Sequence, residues 1–219
     1  MASCRICYAG LMCGRITLLT YGELEEVLEA VEARRIARIA ARSERVQARP
    51  GSSLQAIAPS DNGLQIIPLT WGFSFPDSKR LIFNTRIESA LGGTRMWAEP
   101  IRDGRCVLPV ATFFEPHGSE TTASPRTGKP MKRQYEFATP GDEPLLLASV
   151  QREGRLSVVT TGPNASVSPI HPRMPIVLRF EEVPTWLEGD FASLADRSQI
   201  DLLAAPEDDG QEPPQLSLF

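Results

Sequence analysis

The chain has 219 residues, 42% of them hydrophobic and 23% charged, with a formal net charge of −4. This is the composition of one globular domain with a real core, and it excludes a fibrous or low-complexity chain. No apolar run approaches the roughly 18 residues of a membrane span, and Arg5 stands where a secretory signal needs apolar residues, so a cytoplasmic protein with reduced thiols is expected.

Taken in chain order, Cys4-x-x-Cys7 with Cys13 is too incomplete for a metal site, since no second pair completes a tetrahedron; no metal and no cofactor are expected. Thr20 and Glu23 form a capping box ahead of Leu24, Val27, Leu28 and Val31. That spacing predicts a helix running toward Arg42, its basic half (Arg34, Arg35, Arg38) a solvated face. The Pro, Gly and Ser content of residues 47–62 predicts a loop. Residues 64–71 and 81–83 read as strands and 94–102 as a short helix. Four runs rich in β-branched or aromatic residues (106–114, 134–138, 145–151, 156–161) then predict an antiparallel sheet, with residues 116–132 an irregular hairpin excursion. Residues 171–178 suit a loop feeding a strand, and 181–187 a short helix broken or kinked by Pro184. From Pro206 the chain is rich in Pro, Glu and Asp and is expected to be disordered. The fold class is α+β, a β-rich single domain with few helices.

Charge is unevenly placed. Residues 181–219 hold ten Asp/Glu and one Arg, so over residues 1–180 the remaining 22 Lys/Arg face 17 Asp/Glu. A basic, arginine-rich body suits a nucleic-acid partner, because the guanidinium fork matches phosphate oxygens; arginine usage set by genome composition accounts for it equally well.

Cys13 lies in Met12-Cys13-Gly14-Arg15. Exposed as a first residue, it would carry an amine and a thiol on one carbon frame, a 1,2-aminothiol able to trap an aldehyde. An α-amine titrates near ~7.7–8.0 against roughly 10.4 for a lysine, so about a tenth of it is nucleophilic at neutral pH. The simplest organisation makes Met12 the true start, with residues 1–11 a leader absent from the mature protein, 12–205 the domain and 206–219 the acidic tail. Three further segments carry polar groups that a packed core does not require: Asn84-Thr85-Arg86-Ile87-Glu88, Phe113-Phe114-Glu115 and His171-Pro172-Arg173-Met174-Pro175.

With Trp71-Gly72-Phe73, and in this order and spacing, these motifs resemble the SRAP (SOS-response-associated peptidase) family of abasic-site-processing proteins, from about Met12 to Leu187. The resemblance implies a barrel-like core with flanking helices and a DNA-damage function: sensing abasic sites in single-stranded DNA and shielding them through a covalent thiazolidine crosslink. It assigns Cys13 as the nucleophile, Glu115 as a proton shuttle, His171 to sugar ring opening and Asn84 to orientation of the amine. Arg15, Arg86 and Arg173 become phosphate contacts, and Trp71 a stacking face for a base. It also implies self-processing peptidase activity and a lyase activity. Pro116 stands where the family usually has a tryptophan, and Ala56-Ile57-Ala58-Pro59 lacks a usual asparagine.

The C-terminal Gln215-Leu216-Ser217-Leu218-Phe219 resembles a bacterial sliding-clamp-binding pentapeptide, which would tether the protein to replication forks at the nucleoid. Two other readings stay open. One is an N-terminal-nucleophile hydrolase or amidotransferase using Cys13; the other is a non-catalytic module that binds single-stranded DNA and the clamp.

Overall fold

A computed structural model describes residues 13–39, 45–75, 78–141 and 143–207. Strand β1 (Arg15–Leu18) leads into helix α1 (Tyr21–Glu32). The capping box is present: Glu23 N–H donates to the Thr20 hydroxyl at 3.4 Å, and Thr20 N–H donates to the Glu23 carboxylate at 2.7 Å. Leu24, Val27 and Val31 bury the helix's apolar stripe. The helix ends ten residues short of Arg42. Arg34 has a φ of 52°, and beyond it Ala37 and Ile39 are buried in the alternation of an extended chain, so nothing there rewards a helical turn.

Residues 47–62 are not a loop. They hold strands β2 (Gln47–Ala48) and β3 (Ser53–Ser60), and β3 forms a tight hairpin with β4 (Gly63–Trp71). The Ser and Pro content concealed an inward-facing alternation of Leu54, Ala56 and Ala58, all buried. Gly63, at φ 115°, lets the chain reverse immediately after Asp61 and Asn62.

A two-stranded ribbon, β5 (Phe73–Phe75) and β6 (Ser78–Ile82), precedes β7 (Asn84–Arg86), α2 (Ile87–Leu91) and α3 (Arg95–Asp103). Strand β8 (Arg105–Ala123) runs on well past residue 114. It forms a long arm with β9 (Pro130–Ala138), so much of the expected excursion is paired strand, irregular only between Pro116 and Thr121. Strands β10 (Leu145–Arg152), β11 (Arg155–Thr161), β12 (Met174–Pro175) and β13 (Val177–Leu178) follow. A 3-10 turn at Phe180–Glu182 then starts α4 (Val183–Leu187). Pro184 lies in the first turn of α4, where its missing N–H is no loss, so it begins the helix rather than breaking it. Strand β14 (Leu203–Pro206) pairs with β9, which places Pro206 in a strand; residues 208–219, and the clamp-like pentapeptide with them, lie outside the described residues.

Strands β10, β11, β4, β3 and β8 run round in a ring, with β8 returning to β10. The β3–β8 seam rests on one register pair, Ile57↔Val107, and β4–β11 on a short parallel contact, so the ring is barrel-like without closing as a barrel. Its core is not wholly antiparallel, since β11 also pairs in parallel with β7. The alternation of β10 shows how two cores share one sheet. Leu145 and Leu147 belong to the cluster inside the ring with Phe113, Phe137 and Trp71, while Leu146, Ala148 and Val150 pack toward Trp97 and Trp186 of the covering helices. Among the described residues no helix is long and apolar enough to cross a membrane.

Candidate active site

Four separated stretches of chain meet around Glu115. Strand β8 pairs with β1 so that Phe114 lies opposite Arg15 and Phe113 opposite Ile16, which brings Cys13, just ahead of β1, beside Glu115. The Cys13 N–H donates to Glu115 Oε1 at 2.8 Å, and both residues are fully buried. Asn84 opens β7, held against β11 at Val158, and its Nδ2 reaches the Cys13 carbonyl at 3.5 Å. His171 ends a turn organised by Asn164, whose Oδ1 accepts the Val167 N–H at 3.0 Å while its Nδ2 donates to the Ile200 carbonyl. The irregular part of β8 also holds that turn, because the Gly118 N–H donates to the Ile170 carbonyl at 2.9 Å. His171 Nδ1 thereby comes within 3.7 Å of Glu115 Oε2. The sequence-predicted quartet of Cys13, Asn84, Glu115 and His171 is assembled.

The electrostatics of this group follow from burial. Desolvation raises the Glu115 carboxyl well above the usual range, and the hydrogen bond from Cys13 N–H only partly opposes it. The Cys13 thiol is also pushed up, by burial first and by the Glu115 charge second, so the sulfur rests as a thiol rather than a thiolate. Burial lowers the pKa of His171, partly countered by the Arg173 carbonyl, and the ring is neutral at physiological pH. Its Nδ1 lies 2.9 Å from that carbonyl. The Arg173 N–H also lies 3.3 Å from Nδ1, so this nitrogen donates to the carbonyl or accepts from the N–H according to its tautomer. Among the described residues Glu115 Oε2 has no hydrogen-bond partner, although the carboxyl is completely enclosed. A buried carboxyl oxygen left unmatched costs stability, and it marks a place suited to a group the protein does not itself supply.

Cys13 also has a φ of 24°, a backbone conformation that residues other than glycine rarely adopt. This strain exists only while a peptide bond precedes Cys13, because a first residue has no φ.

The predicted peripheral residues divide. Arg86 is exposed at the N-cap of α2. Arg173 forms a bidentate pair with Glu88, at 2.6 and 2.9 Å, and also donates to the Thr160 carbonyl. Arg15 lies over the Phe114 ring, 3.8 Å from its centroid, and forms a bidentate pair with Glu207 at 2.5 and 2.7 Å. Trp71 is a correction: it is fully buried, its indole N–H donates to the Phe83 carbonyl, and Phe83 packs edge-on against it. Its ring is part of the interior, with no open face for a base. Sequence reasoning missed Glu207 and the pairing role of Glu88. Glu88 stands two residues after Arg86, but its partner Arg173 lies 85 positions away, so no local signal announces the pair. Glu207 left no local signal, since it meets Arg15 across 192 positions. Cys4 and Cys7 lie outside the described residues.

The family model described as SOS response associated peptidase (SRAP) matches residues 12–212. The chain is 25% identical over 194 residues to the abasic site processing protein YoqW of Bacillus subtilis, covering 80% of each chain. It is 24% identical over 189 residues to YobE of the same organism, also named an abasic site processing protein, covering 80% of this chain and 82% of YobE. Among solved structures, a phage-related protein from Bordetella bronchiseptica superposes with a TM-score of 0.67 at 21% identity, over 92% of this chain and all of that one. A protein from Bacteroides thetaiotaomicron gives 0.61 at 19% identity, over 88% and 91%.

Proposed function

The chain belongs to the SOS response associated peptidase family, and on that premise we propose that it recognises abasic sites in single-stranded DNA and captures them covalently through Cys13. The names carried by YoqW and YobE support a role in abasic-site processing. The observation that carries the reading is the buried Glu115 carboxyl, one oxygen on the Cys13 nitrogen and the other unmatched beside His171.

The working form begins at Cys13. The family match starts at Met12, and losing the preceding peptide bond releases the strained φ, of order 1–3 kcal/mol for such conformations. The family's designation as a peptidase fits removal of whatever precedes Cys13. The free amine then stands 2.8 Å from Glu115 Oε1, which takes up its proton and presents the neutral nucleophile.

An abasic sugar is electrophilic only as its open aldehyde. His171 takes the proton of the anomeric hydroxyl as the bond from that carbon to the ring oxygen breaks, and hands it to the ring oxygen, which becomes a hydroxyl. The amine adds to the aldehyde carbon, and the resulting carbinolamine loses water, protonated by Glu115, to give a Schiff base. The thiol, held neutral by burial, then adds its sulfur to the imine carbon and its proton to the nitrogen, closing a five-membered thiazolidine with no net oxidation or reduction. The imine also acidifies the adjacent sugar C–H and so offers a route to strand cleavage, a lyase reaction; ring closure by sulfur removes it. Arg86 and Arg173 contact phosphates flanking the lesion, and Gln215–Phe219 tethers the protein to the sliding clamp.

Mixing protein that begins at Cys13 with single-stranded DNA containing an abasic site should produce a species stable to denaturing electrophoresis, and Cys13→Ala should abolish it. Absence of that species with a verified Cys13 terminus rejects the proposal. Deleting residues 215–219 should remove clamp binding while leaving the adduct intact.

A further inference from the structure

Arg15 is poised beside the site but is not free to use. Its side chain reaches from β1 across β8, lies on Phe114 and ends in a bidentate pair with Glu207, while Nη1 also donates to Gln47 Oε1 at 3.3 Å. The arginine is only 7% exposed, so this pairing uses the face through which it would meet anything else. A carboxylate and a phosphate present the same pair of acceptor oxygens to a guanidinium fork.

Glu207 is delivered by the least anchored strand of the sheet. All four residues of β14 are exposed, Leu203 to 58%, so the strand is held by backbone pairing with β9 and by the Glu207 N–H donating to the Gln134 carbonyl at 2.9 Å. Pro206 lacks an N–H for the ladder. The Glu207 side chain is 27% exposed against 9% for Arg15, so solvent and an incoming anion reach the pair from the Glu207 side. Exchange of Glu207 for an incoming phosphate replaces one charge-assisted fork pair by another, and it releases little buried apolar surface. The acidic residues that follow in sequence, Asp208, Asp209 and Glu212, give the same segment the charge of a nucleic-acid backbone.

We propose that Glu207 is an intramolecular phosphate mimic: the C-terminal strand closes Arg15 against nucleic acid, and single-stranded DNA binds by displacing it. This rests on the reading of the site as a DNA-binding centre. If Glu207 occupies Arg15 nine-tenths of the time, the apparent affinity falls about tenfold.

The test is a double-mutant cycle on the full chain beginning at Cys13, reading equilibrium binding of an undamaged fluorescent single strand at low salt. Glu207→Gln, and independently Glu207→Ala, should tighten binding about five- to tenfold. Glu188→Gln, the same charge change at a residue without contact to Arg15, should give less than twofold. In an Arg15→Ala background Glu207→Gln should have no effect. Equal affinities for wild type and both Glu207 variants, or an equal gain from Glu188→Gln, would overturn the mimic while leaving DNA binding itself established. The Arg15→Ala, Glu207→Gln double variant binding as tightly as Glu207→Gln alone would instead show that Arg15 is no phosphate contact.

Discussion

Glu115 shows how one residue acquires its chemistry from position. Phe113 and Phe114 precede it on a strand whose inner face is sealed by the stacked rings of Phe113 and Phe137, 4.8 Å apart. The carboxyl is fully buried there, and desolvation raises its pKa. The protonated form is thus favoured in the folded protein. The contribution is fully present below the ordinary carboxyl pKa of about 4.3 and is lost as pH rises through the higher folded value. Glu115→Gln, which cannot ionise, should therefore match wild type in thermal stability near pH 4 and exceed it progressively toward pH 8, as followed by melting curves across that range. The same variant should slow adduct formation by about 10²–10⁴-fold, the usual contribution of a positioned acid–base group. A fall in both stability and rate at every pH would instead show that the carboxylate is structural. His171 has the opposite sign: its folded pKa is depressed, so its contribution is present above the ordinary imidazole range and lost on acidification.

At the scale of elements, local chemistry explains most boundaries but not all. The α1 capping box was legible because both partners lie within four residues of one another. Thr20→Ala should cost about 1 kcal/mol in urea denaturation, the usual value of an N-cap. Glu23→Ala should cost more, about 3 kcal/mol, because Glu23 Oε1 also accepts from Arg45 at 2.8 Å and the variant breaks this buried pair as well as the cap. Gly104 joins α3 to β8 for a reason invisible in sequence. A Cβ there would fall deep inside van der Waals contact with the Gln151 carbonyl, whose own N–H donates to the Gly104 carbonyl at 2.7 Å. Gly104→Ala should destabilise the fold by several kcal/mol or prevent folding, measured by soluble yield and melting temperature. Strand β3 escaped the sequence reading because small residues fill its inward positions, and strand β14 because its exposed side chains show no apolar alternation at all.

Over the whole molecule, the basic body and acidic C-terminal end meet physically at Arg15 and Glu207. Opposite charges at the two ends of a chain often stay apart, each solvated. Here the ring brings β1 and β14 to the two sides of the β8–β9 arm, and the arginine crosses that arm. If arginines from separate stretches of the chain hold DNA phosphates, binding should weaken steeply with salt. Single-strand affinity plotted as log K against log salt should lose about 0.7 of slope for each contact removed, so Arg86→Ala and Arg173→Ala should each flatten the line by about that amount. An unchanged slope would remove the residue from the interface.

The sequence by itself determined the α+β class, the start of α1 and strands β4, β10 and β11, because each rests on a local signal, a cap or an alternation; Cys13, Asn84, Glu115 and His171 stand out in short polar motifs whose roles come from the family resemblance. Only the tertiary structure decided that Glu115 and Cys13, 102 positions apart, share a hydrogen bond and that one Glu115 oxygen is left unmatched. It also decided that Trp71 is interior and that Arg15 already holds a carboxylate. Burial and long-range pairing are properties of packed surfaces. The same tryptophan or arginine reads identically in sequence whether its face is open or filled.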